Sequence, residues 1–278
     1  MMRAMFAAIS GLKAHQVMLD VVGSNIANVN TIGFKGSRVS FEDSLNQQLG
    51  SSSAPTGSVG GTNPKQVGLG VQLGSIDTLT TTGAVQSTAN PLDAAIQGEG
   101  YFRIATWNGT GFGETQYTRA GNFSTDKDGY MVTSEGYYVV GYTLDASGAP
   151  TTTETRIQVP TDAREVSLGQ DGIVNIVDKD GNPQKIAAIT LAKFPNNAGL
   201  DRLSGSRFRA SDNSGAEMTG TPGTNGLGLV LPSTVEMSNV DLAQEFTSMI
   251  TAQRGFQANS RVITAADEML QELVNLKH

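Results

Sequence analysis

The sequence predicts an α+β protein with a long helix at each end and a mainly antiparallel β middle. Three observations predict it. Apolar residues recur three and four apart over residues 2–28, and they do so again over residues 241–276, a run without a proline. Between these ends, Gly, Ser, Thr and Asn punctuate short apolar runs of the kind that form hairpins.

At the N-terminal end Met2, Met5, Ile9, Leu12, Gln16, Leu19, Gly23 and Ile26 form a heptad stripe. Asn28, Asn30 and Gly33 are expected to end it, because Asn and Gly tolerate the left-handed backbone found just beyond a helix. Residues 34–49 mix Phe34, Val39, Phe41 and Leu45 with charged side chains, and residues 51–63 are rich in Gly, Ser and Thr. Together they read as an extended or looping connector, the place where flexibility is expected. Val71, Leu73, Ile76 and Leu79 stand among polar residues, as in one long strand or a strand pair.

From there to about Leu231 the signals are β. Asp128-Gly129, Glu135-Gly136, Asp171-Gly172 and Asp180-Gly181 separate apolar runs and predict the turns of an antiparallel meander. Ser238 and Asp241 then stand at N-cap and N3 spacing ahead of the second helix. Along it Leu242, Phe246, Met249, Gln253, Phe256, Ile263, Ala266, Leu270 and Leu273 give a second narrow seam. At ~1.5 Å per residue this helix reaches ~54 Å, against ~39 Å for the first.

The chain leaves the first helix near Asn28 and returns near Ser238, so the two are expected to lie antiparallel. Their unequal lengths leave ~15 Å of the second, beyond about Ile263, for packing against another subunit. The expected assembly seam is Met5, Ile9, Leu12, Leu19, Ile26, Leu242, Phe246, Met249, Phe256, Ile263, Leu270 and Leu273. Ordering of both helices on assembly would be offset by burial of the two stripes.

Composition narrows the chemistry. A formal charge of −7 argues against nucleic acid or an anionic membrane as main partner. With no cysteine, disulfides, thiolate metal sites and a cysteine nucleophile are excluded. No run is apolar for the ~18 to 20 residues of a membrane span, and the N-terminal run, broken by Lys13 and His15, does not read as a cleavable signal. The two Asp-Lys-Asp-Gly runs at 126–129 and 178–181 place Gly at the fourth position where a calcium loop needs it at the sixth, so they read as turns. Gly68-Leu69-Gly70 and Gly98-Glu99-Gly100 lack the third glycine and following helix of a phosphate loop. His15 and His278 stand at no ligand spacing, and no catalytic, metal or cofactor residue emerges.

Four motifs carry a resemblance. They are residues 20–35, ending Asn25-Ile26-Ala27-Asn28-Val29-Asn30-Thr31-Ile32-Gly33-Phe34-Lys35; residues 90–102; Tyr117-Thr118-Arg119-Ala120-Gly121-Asn122-Phe123; and residues 237–242 with Arg254-Gly255-Phe256 in 252–260. In this order they resemble the bacterial flagellar rod and hook proteins, with Asn25, Asn28, Gly33, Phe34, Arg254, Gly255 and Phe256 as motif residues. The resemblance implies an inner antiparallel coiled-coil assembly domain from residues 1–32 and 238–278. It also implies a connector from 33–75 and 226–237, and a β-rich outer domain from 76–225.

It implies further an exported homopolymer without cofactor, a helical tube that transmits torque. Its partners would be adjacent rod and hook–filament junction proteins and the flagellar type III export apparatus. Residues 9–13, 37–41 and 60–70 look more like the flexible hook subunit, whereas the length is that of the alternative, the rigid distal rod subunit. The hook subunit is the expectation here. A second class, a secreted β-rich adhesin or glycan-acting enzyme, would be marked by a convergent carboxylate pair in a deep pocket.

Overall fold

The computed structural model describes residues 2–55, 60–145 and 147–276. They fall into two compact units. One takes in both helices and residues 37–78; the other takes in residues 28–36 and 79–240.

In the first unit α1 (Met2–Ala27) runs for 26 residues and α2 (Leu242–Asn275) for 34, without an interior proline. Asp241, not Ser238, is the N-cap of α2: its carboxylate accepts from the amides of Ala243 at 2.8 Å and Gln244 at 3.3 Å. The Ser238 hydroxyl instead accepts from the amide of Val240. The expected connector contains regular structure. β1 (Ser37–Asp43) pairs antiparallel with β4 (Val71–Thr78), and β2 (Asn46–Gly50) pairs with β3 (Lys65–Gly68). Most of these strand residues are exposed or half-buried, so the ribbons lack the apolar alternation of a strand covering a core. Of the expected flexible stretch 51–63, residues 56–59 lie outside the described residues, and its flanks are bridged between Ser53 and Thr62.

The second unit opens with the turn that follows α1. The Thr31 amide donates to the Asn28 carbonyl at 3.1 Å, and the left-handed residue of this exit is Gly33 at φ +67°, not Asn28 or Asn30. The body that follows is antiparallel in every pairing between its strands. Its hub is β5 (Tyr101–Trp107), hydrogen-bonded to strands Phe112–Thr118, Tyr138–Leu144 and Leu191–Lys193. The two-residue period sends neighbouring side chains of β5 to opposite faces. Phe102 enters a core with Phe123, Val139, Ile157, Val174 and Ile189, while Tyr101 joins Tyr117, Phe194 and Phe208 in a second cluster.

The turns between these strands come where the Asp-Gly and Glu-Gly pairs predict them. Gly129, Gly136, Gly172 and Gly181 take φ between +74° and +84°, and each amide closes its turn on a carbonyl three residues back. Asp126 accepts from the amides of Asp128 and Tyr130, the role of a turn residue. The segment returning toward α2 completes the body: Leu229–Pro232 pairs with Ala94–Gln97, and Thr234–Glu236 with Val85–Ser87.

The second cluster holds a phenol whose ionised form burial opposes. The Tyr117 hydroxyl donates to the Glu217 carboxylate at 2.5 Å. Burial first, and that bond second, push its pKa above the ordinary 10.0. A phenol shifted upward contributes stability that is fully present below pH 10 and is lost as pH rises through the folded value. The urea midpoint should therefore fall as pH is raised past 10. Tyr117→Phe should flatten that fall while lowering stability at neutral pH by about 1 kcal/mol, measured by denaturation at both pH values.

Candidate assembly interface

Small and polar residues set the pairing of α1 with α2. The buried row of α1 is Ala8, Gly11, Val22 and Asn25, with His15 and Met18 half-buried between them. On α2, Ala252 and Ala266 are buried, and Glu245, Met249, Phe256, Asn259, Ile263 and Leu270 are half-buried, spaced alternately by four and three. A Cβ added at Gly11 would lie 2.7 Å from Asn259 Nδ2, and one at Gly255 would run into the His15 ring. Glycine at these points lets the backbones approach closely.

Asn25 completes the register. Its amide nitrogen donates to the Ser37 carbonyl at 2.8 Å and to Glu245 Oε1 at 3.0 Å, and its oxygen accepts from the Ser37 amide at 2.9 Å. One buried side chain thus ties α1 to the start of β1 and the first turn of α2. Gly11, His15 and Asn25 meet Asn259, Gly255 and Glu245 in turn, so the two helices run in opposite directions.

Extended at the same register, Met2 falls opposite about residue 268, and about 10 Å of α2 outruns α1. The overhang is shorter than the sequence suggested, because α1 runs beside α2 through Ile263. Met5, Ile9, Leu12, Leu19 and Ile26 sit half-buried one position from the buried row. On α2, Met249, Phe256, Ile263 and Leu270 belong to the row facing α1. Leu242 and Leu273 (51% exposed) continue that row at its two ends but are uncovered, Phe246 (50% exposed) lies off it, and Ile250, Val262, Met269, Val274 and Leu276 are also exposed. Arg254 is exposed. A helix with this much uncovered apolar surface marks an interaction face.

Gly33 and Phe34 lie beside a buried charge cluster in the second unit, whereas Asn28 accepts from the Thr31 hydroxyl at the surface. Gly33 donates its amide to the Glu236 carbonyl at 2.8 Å, and a Cβ there would strike the backbone of Arg119 and Ala120. The Phe34 ring is buried with the Arg202 guanidinium 4.3 Å above it. Glu236, fully enclosed, accepts from Lys35 Nζ at 2.5 Å, from the Gly83 amide at 2.9 Å and from Arg119 Nη1 at 3.2 Å. Lys35 also donates to the Thr81 carbonyl at 2.8 Å, and Arg119 to the Gly98 carbonyl at 2.8 Å. Asn239 bridges the same place, accepting from the Gly36 amide and donating to Leu79 and Thr81. Burial pushes the Lys35 ammonium below the ordinary lysine range, and Glu236 opposes that shift. Glu236 carries no sequence signal of burial, since a lone Glu normally reads as surface.

Comparison with known proteins follows this layout. Residues 5–35 match the family described as "Flagella basal body rod protein", residues 95–176 the "Flagellar hook protein FlgE/F/G D1 domain", and residues 231–276 the "Flagellar basal body rod FlgEFG protein C-terminal". The flagellar basal-body rod protein FlgG of Bacillus subtilis (strain 168) is 50% identical over 278 residues, the whole of both chains. The chain belongs to the flagellar rod and hook protein family.

The family's proteins are structural parts of the flagellum, and the chain is not an enzyme. No described helix is long and apolar enough to cross a membrane. The hook-subunit expectation is overturned. FlgG of Caulobacter vibrioides, also a basal-body rod protein, is 40% identical over 280 residues, covering 99% of this chain and all of its own. In Borreliella burgdorferi the rod protein FlgG is 35% identical over 279 residues, covering 100% of this chain and 99% of its own length. The hook protein FlgE of that organism is 28% identical in an alignment 447 positions long that covers the whole of both chains. The hook protein there carries long stretches that this chain lacks. The short hook-like runs at 9–13, 37–41 and 60–70 are outweighed by similarity along the full length.

Two outcomes test the geometry. Ala is a better helix former than Gly by about 1 kcal/mol, so Gly255→Ala would stabilise a helix that nothing approaches. Here it should instead lower the thermal midpoint of the helical signal, followed by circular dichroism. Glu236→Gln strands two buried cations and should destabilise the β body by about 3–5 kcal/mol in urea.

Proposed function

We propose that the chain is a subunit of the flagellar basal-body rod that polymerises with copies of itself into a helical tube, a stiff shaft for torque. The observation that carries this is full-length identity of 50% to a basal-body rod protein, with no room for the hook protein's additional sequence. In this reading α1 and α2 form an antiparallel coiled-coil assembly domain of residues 1–32 and 238–278. Residues 33–75 and 226–237 connect it to an outer domain of residues 76–225. The alternating spacing of the α2 row and its opposed register with α1 support the coiled coil.

The assembly surface comprises the apolar residues α1 leaves open, led by Leu242, Phe246 and Leu273, flanked by Met5, Ile9, Leu12, Leu19 and Ile26 at the helix boundary. Neighbouring rod subunits are the partners, and the chain reaches them unfolded through the type III export apparatus. The junction proteins expected beside a hook fall away with that reading. A head-to-tail contact that does not close on itself produces such a filament.

Concentrated protein viewed by negative-stain microscopy should form straight tubes, and curved ones would contradict a rod. Leu273→Asp should abolish the tubes while leaving the β spectrum of the body unchanged.

A further inference from the structure

A groove runs along α1 on the flank that meets β4. Ser10, Lys13, Ala14, Val17, Val71 and Leu73 line about 210 Å³, room for a leucine-sized side chain. Its wall is anchored: the Val71 amide donates to Ser10 Oγ at 3.2 Å, and Gly70 packs so closely on Ser10 that a Cβ there would collide with it. Most of the lining surface is apolar, and the exposed Lys13 is one of the residues that line it.

The far end of α2 has the complementary chemistry. Met269, Leu273 and Leu276, spaced by four and three, make one exposed apolar ridge. Glu268 and Glu272 flank it, and no basic residue stands between Arg261 and Lys277. Carboxylates in the last turns of a helix oppose its negative C-terminal dipole, so this end favours a cation from elsewhere. Among the described residues neither Lys13 nor Glu268 or Glu272 has an ion-pair partner.

The ridge cannot reach the groove of its own chain. By the register with α1, Lys13 faces about residue 257, and Met269 lies about 18 Å further along the same unbroken helix. We propose that residues 269–276 of α2 dock in the Lys13 groove of a second copy of this chain, the apolar ridge in the cleft and Glu272 or Glu268 on the ammonium. This rests on the reading of the helical end as an assembly surface and names what that end meets. Ridge and groove are different surfaces, so each copy offers one and receives the other, a head-to-tail contact that propagates.

The test is a charge exchange read by sedimentation of polymer. Lys13→Glu alone, and Glu268→Lys with Glu272→Lys, should each cut the sedimented fraction severalfold. All three substitutions together should restore at least half of it. Unchanged polymer in both reversed proteins, or no recovery in the combined one, overturns the docking.

Because the chain has no cysteine, a second readout is free of background. Copies carrying Val17→Cys, mixed with copies carrying Leu273→Cys and oxidised as polymer, should yield a disulfide joining the two kinds; polymer without it overturns the docking as well. Leu273→Asp separates the two levels. If it polymerises like the parent chain, the assembly reading fails. If it does not, yet charge exchange and cross-linking are silent, the docking alone fails.

Discussion

The second unit depends on one buried carboxylate. Removing Glu236 from water costs several kcal/mol, and the cost is offset only because Lys35, Arg119 and the Gly83 amide all converge on it. Those groups come from segments far apart in the chain, so the ion cluster is satisfied only when the body is complete. In the chain, Lys35 comes soon after α1 and Glu236 just before α2. The first unit makes a similar tie with an uncharged group, the Asn25 amide, which serves Ser37 and Glu245 together. An amide offers donors and an acceptor without the desolvation cost of a charge.

Close approach of the helices has its own cost. Gly11 and Gly255 each weaken a helix by about 1 kcal/mol relative to Ala. What offsets this is contact between the helix surfaces at the points where His15 and Asn259 fit over glycine. The result is a narrow shared face in which small and polar groups alternate with larger ones such as Met249, Phe256 and Ile263, while other large apolar side chains of α2 are left uncovered. Phe246 and Leu273 remain at the surface alongside the other exposed apolar side chains of α2.

Much of the architecture is legible in the residues. The two helices follow from their heptad spacing, and the meander turns follow from Asp-Gly and Glu-Gly pairs that supply the positive φ a tight turn needs. Other features escape for physical reasons. The facing row of α1 is offset by one residue from the row a hydrophobicity reading selects, because Ala8, Gly11 and Asn25 pack by size and hydrogen bonding. Strands Ser37–Asp43 and Asn46–Gly50 hide in an apparent connector because thin, exposed ribbons need no alternating pattern. Capping by Asp241 in place of Ser238 moves the start of α2 by three residues, a shift only the backbone bonds reveal. Lys35, Arg119 and Glu236 read as surface charges until the fold brings them together. Hook and rod proteins share the local motifs, so the distinction rests on the whole length.

The register between α1 and α2 has a mechanical consequence. Slipping the pair by one heptad would move Asn259 off Gly11 and Glu245 off Asn25, leaving a buried amide short of a partner. It would also change the projecting length of α2 by about 10 Å, as much as the whole projection. The glycine and asparagine contacts therefore act as a gauge block. Every copy is held to the same reach, and a shaft built from such copies keeps one pitch without any separate measuring part.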